Sequence, residues 1–193
     1  QLLKECLRRL WWDFCQLQYN YMNEDYQAGT AGLMAAAERG LPVIVMEPLL
    51  GGKLAGELPA GARRALSDAG LSDDPVRLAL RWVWNHPEAT VVLSGMNTQD
   101  QLSQNIETAE SALPGSLEGA EADAVEKARE HIAQNYRIPC TGCGYCMPCP
   151  KGINIPMCFA AYNTSFAHGW YQGMHQYITA SGAMVGEARF ASD

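Results

Sequence analysis

The sequence predicts an α/β fold built on parallel strands, followed by a small, mostly helical segment organised around cysteines. Short apolar runs alternate with segments of helical periodicity through residues 1–113. A Leu113-Pro114-Gly115-Ser116 break then ends that series. Beyond it, Cys140, Cys143, Cys146 and Cys149 follow one another at a spacing of three.

Taken in order, the chain begins with an amphipathic helix, its stripe made by Leu2, Leu3, Cys6, Leu7 and Leu10. Asp13 to Tyr19 reads as the first strand, through Phe14, Cys15, Leu17 and Tyr19. Ala31 to Arg39 is a helix of small residues, stopped by Gly40. Val43 to Met46 is a short continuous apolar strand, the kind that a parallel sheet buries on both faces. Asp74 caps the next helix, and Pro75 occupies its first turn, where a missing N–H costs nothing. Val76, Ala79, Leu80, Val83 and Trp84 form the stripe of that helix, which ends at Pro87. Thr90 to Leu93 is the third strand, and Thr98 to Ser111 the helix after it, with Leu102 and Ile106 on one side. After the break, Glu121 to Asn135 is a charged helix whose apolar face is Ala124, Val125, Ala128 and Ile132. That face suits packing on the preceding domain. Ile155 to Tyr162 is a short helix opened by Pro156, and the Gly- and aromatic-rich tail, Thr164 to Asp193, is expected to be helical.

Three consecutive strand–helix units imply parallel strands joined by right-handed crossovers. An open doubly wound sheet and a segment of an eight-stranded barrel both satisfy the pattern. Three strands alone leave apolar edges bare, and residue 1 is a Gln already inside a helix. The chain is therefore expected to be a piece of a longer one.

With 193 residues, 48% of them hydrophobic, there is material for one domain and a smaller appendage. The formal net charge of −7 argues against nucleic acid or an anionic membrane as partner. No apolar run approaches the ~18 residues that span a bilayer, and no secretory signal stands at the start. Four closely spaced thiols are poor material for several unstrained disulfides. Thiolates holding a metal in a reducing, cytoplasmic setting fit better.

The cysteine run is Cys140-Thr141-Gly142-Cys143-Gly144-Tyr145-Cys146-Met147-Pro148-Cys149-Pro150. Soft thiolates suit both zinc and iron–sulfur clusters. Zinc sites usually use two short pairs separated by a longer segment. Here three C-x-x-C steps run continuously, as one loop needs when it binds three corners of a cubane. Gly142 and Gly144 permit unusual backbone angles beside inorganic sulfide. Pro150 after the last cysteine matches the bacterial ferredoxin run, although the last gap there is three residues and here is two. A 4Fe–4S cluster is the preferred reading and zinc the alternative. By the two-cluster ferredoxin precedent, Cys149 serves a second cluster. Cys158 is a candidate fourth ligand, but a packing thiol on a short helix is the preferred reading.

The other reactive side chains have plainer readings. Cys6 and Cys15 sit in apolar patterns as core thiols. His86 precedes Pro87 at a helix end, where a basic residue favours the dipole. His131, His168 and His175 lack metal-ligand spacing. Trp11, Trp12, Trp82 and Trp84 are expected to pack, and Tyr145 to shield the cysteine loop from solvent.

Several segments together resemble the aldo/keto reductases that carry a carboxy-terminal 4Fe–4S domain. They are Asp13-Phe14-Cys15-Gln16-Leu17-Gln18-Tyr19-Asn20, Gln27-Ala28-Gly29-Thr30, Val45-Met46-Glu47-Pro48-Leu49-Leu50-Gly51-Gly52-Lys53-Leu54, Val91-Val92-Leu93-Ser94-Gly95-Met96-Asn97, Gln101-Leu102-Ser103-Gln104-Asn105 and the cysteine run. The resemblance implies the C-terminal part of a TIM (β/α)8 barrel followed by a ferredoxin-like iron–sulfur segment. Residues 1–113 would supply the sixth to eighth βα units, 114–135 a connecting helix and 136–193 an incomplete 4Fe–4S domain. The family's catalytic Asp, Tyr, Lys and His lie in the half of the barrel that is not present, so no catalytic residue is assigned. A second cysteine run, which relatives place after a segment resembling Ala191-Ser192-Asp193, would give Cys149 its cluster.

The same resemblance implies a nicotinamide site. Gln16 matches the residue that hydrogen-bonds the carboxamide side of the ring, and Met46 stands where many relatives stack an aromatic on it. Pro48, Leu49, Gly51 and Gly52 match the loop along the pyrophosphate. Ser94, Gly95, Met96, Asn97, Gln101, Gln104 and Asn105 match the adenosine end, with Asn105 on adenine. Relatives that prefer NADP place Lys or Arg at Gly95 and Gln101, which leaves NADP, NAD or a flavin as cofactor. The implied activity is hydride transfer to or from a small carbonyl substrate, with a Tyr hydroxyl as general acid and an electron-transfer partner protein for the clusters. The rival is an electron-transfer or redox-sensing protein that uses the barrel as a scaffold.

Overall fold

The computed structural model describes residues 2–56, 58–71, 74–167 and 169–181. Its elements run α1 (Leu2–Arg9), β1 (Cys15–Gln18), α2 (Gly29–Ala37), β2 (Val43–Met46), α3 (Ala60–Asp68), α4 (Pro75–Trp84), β3 (Ala89–Val92), α5 (Gln99–Ser111), α6 (Ala120–Asn135), α7 (Ile155–Ala167) and α8 (Trp170–Ala180). They divide into two compact units, one within Gln1–Arg129 and the other within Glu130–Asp193, with the boundary inside α6. Among the described residues no helix is long and apolar enough to cross a membrane.

The first unit is the parallel α/β layer that the pattern requires. Its sheet has the order β1-β2-β3. Cys15 lies opposite Val43 and Gln18 opposite Met46, both pairs parallel. β2 and β3 are parallel too, with an irregularity between Val43 and Ile44. Val43 and Val45 are fully buried, as are Leu33 and Ala36 of α2, which lies on β1 and β2. Only 4 residues of the first strand pair, fewer than the expected Asp13 to Tyr19, and Phe14 stands 53% exposed ahead of it. α2 starts earlier than expected, at Gly29, and ends at Ala37. Its last carbonyls are satisfied by the Gly40 and Leu41 amides, which bond Ala37 O at 2.8 Å and Ala36 O at 3.1 Å.

α4 opens as its sequence demands. The Asp74 carboxylate accepts from the amides of Val76 at 2.9 Å and Arg77 at 3.2 Å, with Pro75 in the first turn. The expected stripe is too narrow, however. Leu78 and Trp82 are buried beside Ala79, Leu80 and Val83, while Val76 and Trp84 are half-buried. The helix is covered both by β3 and by α5, so more than one face must be apolar. The reverse holds in α5. Leu102 and Ile106 are 37% and 50% exposed, and Asn105 and Thr108 face inward instead. α3 is a helix that the apolar pattern did not announce, with only Ala62 and Leu66 buried.

His86 does more than favour a dipole. Its Nδ1 lies 3.1 Å from the carbonyl oxygen of Trp82, in the last turn of α4, and its Nε2 lies 3.2 Å from the Tyr19 hydroxyl. A neutral ring therefore donates from Nδ1 and accepts at Nε2. Tyr19 also meets Thr30 Oγ1 at 2.9 Å, and its ring packs on Trp82 at 5.0 Å. This pins the end of β1 to α2 and α4. Burial raises the Tyr19 phenol above its ordinary range, partly opposed by the Thr30 hydrogen bond.

The loop after Leu113 is tied down by Asn85, which accepts from Leu117 N at 2.7 Å and donates to Leu117 O at 3.1 Å. Arg81 reaches Ser116 O and Glu121 from the same helix. Ala124, Val125 and Ala128 of α6 are buried in this unit, and Ile132, past the boundary, is buried as well. Cys15 is a core thiol as expected, but Cys6 is only half-buried. Trp11 and Trp12 do not pack as expected: the first is fully exposed and the second 46% exposed. They lie in the segment between α1 and β1, where the Trp12 indole N–H donates to Cys6 O of α1 at 3.3 Å.

The second unit is a helical hairpin preceded by the cysteine loop. α7 extends to Ala167, beyond the expected Tyr162, and α8 supplies the helix expected in the tail. Their contact is close at Gly173, where an added Cβ would meet Ser165 Cβ at 2.6 Å and Ala161 O at 2.7 Å. Asn163 donates to Ile138 O at 2.8 Å and accepts from Ile138 N at 2.9 Å, so a buried amide anchors the chain just before Cys140. His168 and the Ala191-Ser192-Asp193 segment lie outside the described residues.

Candidate functional site

Parallel strands send their following loops to the same edge of a sheet, and that edge is where α/β folds build sites. The loops after β2 and β3 meet there. The first begins at Glu47, whose carbonyl accepts from Asn20 Nδ2 at 2.8 Å, while Asn20 Oδ1 accepts from Met22 N at 3.1 Å. Asn20 is fully buried, so the turn after β1 is locked to the turn after β2. Glu47 and Leu50 hold positive φ of 58° and 50°, followed by Gly51 at 63° and Gly52 at 84°. Glu47 stands alone, and the left-handed run of three from Leu50 to Gly52 is tolerable because two of its members lack a Cβ. At Gly51 and Gly52 that wall can offer only peptide groups, beside the side chains of Glu47, Pro48, Leu49 and Ala55.

The second loop is held by its own amides. Leu93 N donates to Val45 O at 2.9 Å, which carries the β2–β3 pairing past the end of the strand. Asn105 Nδ2 donates to Ser94 Oγ at 3.0 Å from a position only 9% exposed. Gln101 Oε1 accepts from Asn97 N at 2.9 Å, and Thr98 Oγ1 accepts from Gln101 N at 3.3 Å. Two short polar side chains and one Gln thus fix the loop to the first turns of α5.

Between these loops lies a cleft of about 630 Å³. Pro48, Leu49, Gly51 and Gly52 line one side, and Ser94, Gly95, Met96, Gln101, Gln104 and Asn105 the other. Of the expected cofactor residues, Gln16, Met46 and Asn97 do not line it. Gln16 and Met46 instead meet each other across β1 and β2, with Gln16 Nε2 donating weakly to Met46 Sδ at 3.4 Å. Glu47, Ala55, Val76 and Leu93 also line the cleft and were not anticipated. Glu47 was the most accessible of these from sequence, because it is the first residue past a strand of the parallel series. Val76 was hidden by its place in an apolar helical stripe.

The cleft suits a nucleotide cofactor. An added Cβ at Gly52 or Gly95 would meet nothing within 4 Å, so a ligand can approach the backbone at both. The volume is in the range of cofactor pockets, ~300–1,000 Å³.

The cysteine loop has a different character. Cys140 and Cys149 are half-buried, Cys143 and Cys146 exposed, and none of the four is in a disulfide. Gly142 and Gly144 both take the left-handed φ of 77° that their positions called for. Turns follow from Met147 N to Gly144 O and from Gly152 N to Cys149 O, both 2.8 Å. Four thiols in one run are donors of the type that soft metals take. Yet among the described residues no three Cys, His, Asp or Glu converge on a point that could hold a metal ion. Cys158 is half-buried, and burial pushes its thiol up, which favours the protonated packing role. Tyr145 is 95% exposed and covers nothing in this arrangement.

Comparison with known proteins bears on the first unit. The model of the aldo/keto reductase family matches residues 3–117. Among solved structures, the holo form of the aldo-keto reductase AKR11C1 from Bacillus halodurans is similar, with 25% identity and a TM-score of 0.51 over 66% of this chain and 46% of that one. The apo form of the same enzyme gives 25% identity and a TM-score of 0.50, over 66% of this chain and 47% of that one. The chain thus spans less than half the length of these solved relatives. No curated protein matches it. The family match ends ahead of the cysteine run.

Proposed function

This chain belongs to the aldo/keto reductase family, and from that premise we propose that it is the dinucleotide-binding half of an oxidoreductase acting on a small carbonyl or alcohol substrate. The observation that carries this reading is the cleft at the carboxy-terminal edge of β2 and β3. It draws on two loops more than forty residues apart in the chain, and ten residues marked as cofactor contacts on resemblance alone line it. A bound nicotinamide supplies or accepts hydride at its C4. This chain's own residues do the holding. The Leu50-Gly51-Gly52 backbone presents peptide groups to an anionic stretch of ligand. Ser94 and Asn105 shape the opposite wall, and Met96 offers an apolar surface to a ring. Gln16 keeps a side-chain amide at the sheet edge, beside Met46. Catalytic acid–base groups are expected from the other half of the barrel.

The finer reading adds a fused electron-transfer module in which Cys140, Cys143 and Cys146 hold a 4Fe–4S cluster, with Cys149 committed to a second. It is supported by the continuous C-x-x-C spacing and the left-handed glycines between the ligands. An electron-transfer partner protein would then exchange single electrons with the module.

Anaerobically purified intact protein tests both parts. Consumption of nicotinamide absorbance on addition of simple aldehydes or ketones is expected. If neither nicotinamide binds, the reductase reading fails and the redox-scaffold reading takes its place. Visible absorbance that bleaches with dithionite is expected from the cysteine loop, since zinc gives neither signal. Protein free of iron and acid-labile sulfide would remove the module.

A further inference from the structure

We infer that the cleft selects the unphosphorylated dinucleotide, NAD, over NADP. The inference rests on the nicotinamide reading above and concerns which member of that cofactor class the cleft takes. Its basis is the charge of the lining. Glu47 is the one ionisable side chain there, and no Lys or Arg lines the cleft among the described residues. NADP differs from NAD by a phosphomonoester of nearly two negative charges, which proteins usually meet with Arg or Lys.

The polar groups nearest the α5 wall make other contacts. Gln101, the long polar side chain on the α5 wall, accepts from Asn97 N and so braces the loop. The amino-terminal turn of α5 is a potential anion site. There the Thr98 hydroxyl already takes the Gln101 amide, and Asp100 places a carboxylate in that same turn. Arg77 follows Val76, a lining residue, but its guanidinium pairs with Glu107 at 3.6 Å. A ribose 2′-hydroxyl, by contrast, needs only a neutral or acidic acceptor. The side-chain oxygens of Gln104 and Glu47 are of that kind.

Gly95 provides the test. It is exposed, it does not sit at positive φ, and an added Cβ there meets nothing within 4 Å. A cation can therefore be added to the wall without straining the backbone. Binding of NADH and NADPH to the intact protein would be measured by quenching of tryptophan fluorescence and by calorimetry. We expect NADH to bind at least about tenfold more tightly, and Gly95→Arg to raise NADPH affinity about tenfold while Gly95→Gln does not. Equal affinities, or tighter NADPH, would overturn the inference and leave the nicotinamide reading standing. Binding of neither would overturn both. A gain in NADPH affinity with Gly95→Gln as large as with Gly95→Arg would show that charge is not what the cleft lacks.

Discussion

The two candidate sites of this chain are built in opposite ways. The cleft takes its walls from 47–55, 76 and 93–105, segments that meet only because β2 and β3 run parallel. Once they meet, the buried amides of Asn20 and Asn105 and the exposed amide of Gln101 hold them. The cysteine loop needs no long-range contact to bring its donors near one another, since all four lie within one short run. Even so, its thiols do not converge on a metal position among the described residues. Packing assembles the first site. The second has donors and a permissive backbone but no internal force to point sulfur inward, because thiols make weak hydrogen bonds and thiolates repel. Metal–thiolate bonding supplies such a force, and its free energy is folding free energy.

The contrast is open to direct attack, beginning with the largest effect. Cys146→Ser in the intact protein should remove most bound iron and acid-labile sulfide while leaving dinucleotide affinity unchanged. Iron analysis beside a fluorescence titration reads both, and full iron retention would end the idea that this loop is gathered by a cluster. Leu80→Ala works on the other site. Leu80 is 1% exposed in the centre of α4, and truncation of so buried a Leu costs about 2–5 kcal/mol. A lower denaturant midpoint with iron per chain unaltered is expected; loss of iron in step with stability would show that the two sites are not independent.

Smaller perturbations refine the account of the first unit. Asp74→Ala removes the cap from the two first-turn amides of α4 and should cost about 1 kcal/mol in urea unfolding. Because Val76 lines the cleft from that same turn, a modest loss of dinucleotide affinity should accompany it. Tyr21→Phe is the mildest. Tyr21 is 1% exposed, its hydroxyl has no hydrogen-bond partner among the described residues, and burial pushes its phenol well above the usual range. Removing an unsatisfied buried hydroxyl should leave stability at neutral pH unchanged or raise it by up to about 1 kcal/mol. The pH dependence has a definite sign. The folded state holds the proton more tightly than the unfolded chain, whose tyrosines titrate near pH ~10. This contribution is complete below that pH and is lost as pH rises past it. Denaturant midpoints at neutral and strongly alkaline pH should therefore converge more in Tyr21→Phe than in the parent.

Much of this was legible because certain residues act locally. Asp74 followed by Pro75 announces a helix start wherever it occurs, and the cap is in place. Val43 to Met46 is a strand with the expected limits, since four consecutive apolar, mainly β-branched residues have few alternatives. Other readings failed for want of a neighbour. Leu102 and Ile106 look like the inner stripe of α5, but Asn105 and Thr108 take that place, one of them through its bond to Ser94. Trp11 looks like a packing residue and stands fully exposed, while Trp12 is only partly covered, with its indole N–H on Cys6 O. Glu47 and Val76 were missed because neither type nor spacing tells a lining residue from a core one.

By itself, the order of residues determined the strand–helix alternation, the parallel sense of the sheet, the capped start of α4 and the clustering of thiols beyond residue 139. Each depends on interactions within a few positions or on the short crossovers between them. Only the tertiary structure decided which side chains share the cleft, which amides brace it and that, among the described residues, no Lys or Arg lines it. Those facts arise where segments distant in sequence are brought together by a buried sheet, and hydrophobic burial draws such segments together without regard to their separation along the chain.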